Sequence, residues 1–251
     1  MMYPVIIKPS NGIEYSRNPF EGQAKVFKVE NIEELNSVVT MIKNSGYADT
    51  LIIQDYIPGE DTAMWDSVVY VSSKGETQLV SYAQVVLQEH TKTAIGNYTA
   101  LIARYDEEMM TKLRGFLVAL NYRGFGNFDL KFDERDGKFK VFEVNIRQGR
   151  SSYYVTAMGH NMARYFVDDL IYGKEKPCTY LKGDMLFSVV PKIVLKKFVA
   201  DPVVKADIAR LLKEKKMVNP LFYKQDKHCK RKIYMFMRQV NYYKKYKENV
   251  W

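Results

Sequence analysis

Apolar residues recur along the chain with two periods, and the elements follow from them. Val5, Ile6 and Ile7 form a β-branched run stopped by Pro9, which predicts a buried strand within YPVIIKPS. NGIEYSRNPFEGQ, with Gly12, Pro19 and Gly22, reads as a loop, and KVFKV as a short strand. Leu35, Val38, Val39 and Ile42 share a helical face behind Asn31, Glu33 and Glu34, with Gly46 after the end. TLIIQDYI predicts a strand closed by Pro58-Gly59, and WDSVVYVSS and TQLVSYAQVV a hairpin about Lys74-Gly75. LQEHTKTAIGNYT, holding His90 and Lys92, reads as a solvated loop. DEEMMTKLRGFLVALNY is an amphipathic helix, and another is expected from about Thr156 to Ile171. DPVVKADIARLLKEKK and KRKIYMFMRQVNYYKKYKENVW predict two last helices.

The clearest pattern is GNFDLKFDERDGKFKVFEVNIRQGRSS. Strand alternation puts Phe128, Leu130 and Phe132 on one face of the first arm and Asn127, Asp129 and Lys131 on the other. On the second arm Phe142, Val144 and Ile146 face one way, and Val141, Glu143, Asn145 and Arg147 the other. A five-residue turn over Glu134–Lys138 pairs Asp133 with Phe139, and that register sets Asp129 opposite Glu143 and Asn127 opposite Asn145. Directly opposed Cβ atoms lie about 4.5–5.5 Å apart, so two carboxylates there repel unless a cation sits between them. Mg²⁺ suits them, since it takes oxygen ligands from one or two carboxylates plus phosphates. The plainer alternative is a half-exposed hairpin with a charged solvent face.

Composition narrows the class. The 251 residues are 47% hydrophobic and 27% charged, as in soluble globular proteins. No apolar run approaches the roughly 20 residues of a membrane-spanning helix, and the N-terminus lacks the features of a signal peptide. Cys178 and Cys229, outside any CxxC or Cys/His cluster, imply neither a disulfide framework nor zinc, and point to a cytoplasmic protein with free thiols. The net charge of +9 is uneven: from Gly173 onward there are 20 Lys/Arg and 7 Asp/Glu. The expected organisation is therefore residues 1–75, residues 76–172 with the acidic hairpin, and a basic helical extension over 173–251. That extension suits a solvated helical cap, or an interface with an anionic membrane or lipid-linked precursor through Tyr234, Phe236, Tyr242, Tyr243 and Tyr246. It lacks a nucleic-acid-binding motif, which ranks that partner last.

GNFDLKF…FEVNIR resembles the metal-binding hairpin of the ATP-grasp family. YPVIIKPS, SNGIEYSRNPFEGQAK and LIIQDYIPGED resemble that family's phosphate-lysine strand, phosphate-covering loop and adenine hinge, in the required order over about residues 3–165. The resemblance implies an α+β fold of two subdomains sandwiching ATP, and a role for each matching residue. Lys8 would contact phosphates, joined in the nucleotide-binding set by Lys131. Gln54 and the backbone of Tyr56 and Ile57 would meet the adenine, and Asp61, or failing that Glu60, the ribose. Asp129, Glu143 and Asn145 would hold Mg²⁺, two ions by family pattern, with Asn145 and Arg147 serving the transferred phosphoryl group. Arg150, Ser151 and Ser152 are candidates for gripping substrate, with ordinary loop polarity the alternative. The implied reaction joins a small carboxylate to an amine through an acyl phosphate, with release of ADP. The loop at Lys8–Phe27 and the basic segment look similar to bacterial D-aspartate ligases of peptidoglycan synthesis, which places the expected site of action in the cytoplasm, at or near the inner face of the membrane. The family also carries an N-terminal domain and an earlier phosphate-binding lysine, which do not precede Lys8 here. Weak nucleotide binding with little ligase activity is therefore expected of this chain alone, and a silent nucleotide-binding or scaffold module is the alternative function.

Overall fold

The computed structural model describes residues 2–223 and 225–249. They form two compact units. One runs up to Pro58 and includes Glu89–Gly96; the other holds Gly59–Gln88 and the described residues from Asn97 to Asn249. The divide falls at Pro58, earlier than the expected boundary at residue 75, because the Lys74-Gly75 turn joins two strands of one sheet.

The first unit is a three-stranded antiparallel sheet with two helices. Strand β1 (Val5–Pro9) lies between β2 (Phe27–Val29) and β3 (Leu51–Asp55). Helix α2 (Ile32–Asn44) starts where Asn31 accepts a hydrogen bond from the Glu34 amide, and it buries Leu35 and Ile42. Val5, Ile7, Val29 and Leu35 make the core. The stretch read as a loop contains a short helix, α1 (Gly12–Arg17). Asn11 caps it, and Tyr15 fills a small second core edge-on to Phe20 and Tyr47, its hydroxyl donating to the Ala24 carbonyl at 2.8 Å. A single buried aromatic decides this helix, and a single residue leaves no period to read.

The second unit is built on a nine-stranded, mostly antiparallel sheet. Its centre is β4 (Met64–Val71). One edge of β4 pairs with β8 (Gly124–Asp133), which carries β9 (Lys138–Asn145). The other edge pairs with β5 (Thr77–Val80) and then β6 (Tyr82–Gln88). TQLVSYAQVV is thus two strands, divided at Ser81, whose hydroxyl accepts from the Val68 amide. β7 (Tyr98–Arg104) follows β6 in the sheet, then β11 (Leu186–Ser188) and β12 (Met217–Val218), while β10 (Thr179–Tyr180) adds to β5. Helix α3 (Glu107–Ala119) packs Met110, Leu113 and Leu117 against Phe128 and Leu130.

The helix expected over 156–171 is instead α4 (Tyr153–Ala157) and α5 (Met162–Phe166), running into a π-helical turn at Val167–Ile171. Gly159 at φ +96° breaks the run. The basic segment contributes α6 (Lys192–Phe198), α7 (Pro202–Lys213) and α8 (Cys229–Glu248), the last over the stretch read as a helix to 251, of which 250 and 251 lie outside the described residues. These helices are not an appendage. Val194, Leu195, Val204, Ile208, Leu211, Tyr242 and Tyr246 form one core with Val86, Leu87, Ala100 and Ile102 of the sheet.

Candidate active site

The polar face of the β8–β9 hairpin carries the candidate chemistry. Asp129 is the cross-strand partner of Glu143, and Asn127 of Asn145. The turn, however, is one residue shorter than expected: Asp133 pairs with Lys138, not Phe139. A bulge between Asp129 and Leu130 restores the offset. Below it Leu130 faces Val141, above it Asp129 faces Glu143, and Phe142 is the extra residue. Val141 consequently lies on the apolar face with Phe139 and Leu130, not beside Glu143 as simple alternation implied.

The site's donors are two carboxylates and an amide. The Asn145 amide donates to Asp129 at 3.0 Å, and its oxygen accepts from the Arg147 guanidinium at 3.1 Å. Among the described residues, no three His, Cys, Asp or Glu side chains converge as a metal-holding group. The protein's share of a metal shell here would therefore be Asp129, Glu143 and Asn145, all oxygen donors, with phosphate and water oxygens completing it.

A buried polar cluster underlies this face, and sequence reasoning missed it. Asp66, on β4, is opposite Asp129, so Asp66, Asp129 and Glu143 stand in a row across three strands. Asp66 is fully buried; it accepts from the Asn127 amide at 2.7 Å and from the Tyr154 hydroxyl at 3.3 Å. Burial, and then the charge of Asp129, push its carboxyl up to about 7, against the pull of those two hydrogen bonds. Burial and the same two aspartates raise Tyr98, which hydrogen-bonds Asp129. Two opposed carboxylates with an amide oxygen beside them are the oxygen donors that a hard divalent cation takes, so Asp129, Glu143 and Asn145 fit Mg²⁺. The available signal was a lone acid in the apolar run MWDSVVYV.

The other expected site residues divide between the units. In the first, Lys8 pairs with Ile52 and Gln54 with Ile6 across the small sheet. The Tyr56 amide donates to the Pro4 carbonyl at 3.3 Å and Lys28 stands over the Tyr56 ring, so the backbone group Tyr56 can offer a base is its carbonyl. Ile57 follows in the Pro58-Gly59 connection. In the second unit Asp61 accepts from the backbone and side-chain amides of Gln88 at 3.0 and 2.8 Å, tying the 3₁₀ turn Asp61–Ala63 to β6, while Glu60 is exposed. Burial lowers the Lys131 ammonium, with Asp61 and Glu60 pulling the other way. Ser151 and Ser152 are buried, and only Arg150 of that trio is exposed. The Ser152 hydroxyl has no partner. The loop sits directly on Asn127: a Cβ on Gly149 would lie 2.0 Å from the Asn127 side-chain oxygen.

This architecture is the ATP-grasp fold. The structure matches biotin carboxylase from Campylobacter jejuni in complex with β-γ-ATP, with a TM-score of 0.55 and 19% identity over 73% of this chain and 41% of that one. It also matches the biotin carboxylase domain of Hydrogenobacter thermophilus 2-oxoglutarate carboxylase in complex with MgADP, ADP and bicarbonate, with a TM-score of 0.52 and 19% identity over 73% of this chain and 40% of that one. In sequence, the chain is a homologue of D-aspartate ligase from Enterococcus faecium (strain Aus0004), 34% identical over 97% of its own length. It spans 60% of that ligase. No family profile matches the chain.

Proposed function

We propose that this chain is the nucleotide-binding and phosphoryl-transfer part of an ADP-forming carboxylate–amine ligase, with D-aspartate as the carboxylate and a peptidoglycan precursor amine as the acceptor. The observation that carries the reading is the paired placement of Asp129 and Glu143 with Asn145 beside them and Arg147 on Asn145. The similarity to D-aspartate ligase supports the substrate assignment.

In this reading Lys8 and Lys131 bind phosphates, and Gln54, the Tyr56 carbonyl and Ile57 orient the adenine. Asp61 is held by Gln88, so it presents a fixed carboxylate to the ribose, with Glu60 as the exposed second acid. Asp129, Glu143 and Asn145 would hold Mg²⁺, in two ions as the family pattern implies. The metal, when bound, neutralises phosphate charge. A substrate carboxylate oxygen forms a bond to the γ-phosphorus as the bond to ADP breaks. The acceptor amine then attacks the acyl carbon, phosphate departs, and the amine loses a proton. Arg147 stabilises the charge spread over the transferred group with its planar fork of donors. Arg150, the exposed member of its loop, is the candidate to grip a carboxylate or the acyl phosphate, with the buried Ser151 and Ser152 supporting the loop.

Calorimetric titration with Mg-ATP and Mg-ADP tests the nucleotide site. Wild type is expected to bind, and Glu143→Gln to bind at least about tenfold more weakly. Absence of binding by wild type overturns the reading. ADP release dependent on both D-aspartate and an amine then separates a ligase from a silent nucleotide-binding module.

A further inference from the structure

We infer that the outward face of α8 is a docking surface for an anionic lipid membrane. The helix carries two apolar stripes. Met235, Tyr242 and Tyr246 are buried, with Gln239 between them donating to the Val189 carbonyl at 3.0 Å. Tyr246 hydrogen-bonds the Gln88 carbonyl at 2.6 Å and the Thr99 hydroxyl at 2.5 Å. These contacts fix the helix on the second unit. Tyr242 and Tyr246, read from sequence as interface residues, are therefore core, and Tyr243 is engaged by Lys197.

The second stripe is Ile233, Phe236, Met237 and Val240, spaced i, i+3, i+4, i+7 and exposed at 60%, 68%, 55% and 56%. It points away from the buried stripe. Lys230 and Lys244 continue the same row at its two ends, Lys232 and Lys247 flank it, and all four are exposed. The whole helix holds seven Lys/Arg against one Glu. Twenty residues make a rod about 30 Å long that can lie along a surface. No described helix is long and apolar enough to cross a membrane.

Charge complementarity selects the occupant. Lysines around a continuous apolar strip match a bilayer, which offers phosphate head groups beside hydrocarbon. A nucleic acid would satisfy the lysines and leave Ile233, Phe236, Met237 and Val240 without a counterpart. The inference stands independently of the ligase reading, since vesicle binding needs no nucleotide.

The test is co-sedimentation of the whole chain with vesicles of phosphatidylcholine alone and of phosphatidylcholine and phosphatidylglycerol in equal parts. Binding is expected only to the anionic vesicles, and to fall with added salt. Phe236→Ser and Met237→Ser, at exposed positions, should each weaken it by about tenfold with unchanged melting temperature, because each removes a side chain that enters the hydrocarbon boundary. Lys244→Glu should weaken it through charge. No binding by wild type overturns the inference. So does unchanged binding of both serine variants, with heparin as an equal competitor, which would make the segment a general polyanion surface.

Discussion

Replacing Gly149 by alanine probes the support beneath the candidate site. The new Cβ would lie 2.0 Å from the Asn127 side-chain oxygen, 2.5 Å from the Ser152 hydroxyl and 2.8 Å from the Asn127 amide carbon. Ordinary contact needs about 3.5 Å, so one side must move by more than about 1 Å. Asn127 cannot retreat: it is 4% exposed and donates to Asp66 at 2.7 Å and to the Ser67 carbonyl at 3.2 Å. The Gly149–Ser152 loop must rise instead, carrying Arg150 with it. Overpacking of this kind costs about 1–3 kcal/mol. At 2 kcal/mol the melting temperature should fall by about 4–8 °C for a chain of this size. Gly115→Ala is the control; its Cβ meets nothing within 4 Å in α3, and it should hold or raise stability. In an Asn127→Ala background the cost of Gly149→Ala should shrink, because the obstructing amide is gone. Thermal melts followed by circular dichroism read the wild type and all four variants. A melt for Gly149→Ala within about 1 °C of wild type, or equal costs in both backgrounds, refutes the reasoning.

Two further outcomes follow from buried contacts. The Asp133 carboxyl is held below its usual range by Arg135 and Lys140, at 2.7 and 2.6 Å. A depressed folded value means stability present above the unfolded pKa and lost as pH falls, so Asp133→Asn should flatten the acid limb of a stability–pH profile measured by urea melts. Tyr246→Phe removes bonds to Gln88 and Thr99, and should cost about 1–2 kcal/mol in the same melts; no loss would show that these bonds add nothing net to the anchoring of α8.

The acid pairing of the hairpin was legible because a five-residue turn without a bulge gives the same Asp129–Glu143 register as the four-residue turn with a bulge that is present, although alternation alone misplaced Val141. α2, α3 and α7 were legible from their periods. Asp66 was not, because it gains meaning only once β4 is known to lie against β8, some 60 residues away in sequence. The C-terminal helices were readable as helices, yet their place in the core depends on a sheet face made by β6, β7 and β11. Tyr242 and Tyr246 illustrate the gap: among lysines they look like surface residues, and only the partners Gln88 and Thr99 make them interior.

The bulge at Phe142 sets a rule for how this hairpin can vary. Without it, the four-residue turn would put Asp129 opposite Phe142 and turn Glu143 and Asn145 toward α3. Turn length and bulge therefore work as a vernier, two offsets that matter only in combination. A homologue whose tip took in one more residue of the second arm would reach the same carboxylate pairing with no bulge, and so would one that lost only Phe142, because its four-residue turn then leaves four residues on each arm between the tip and the acids.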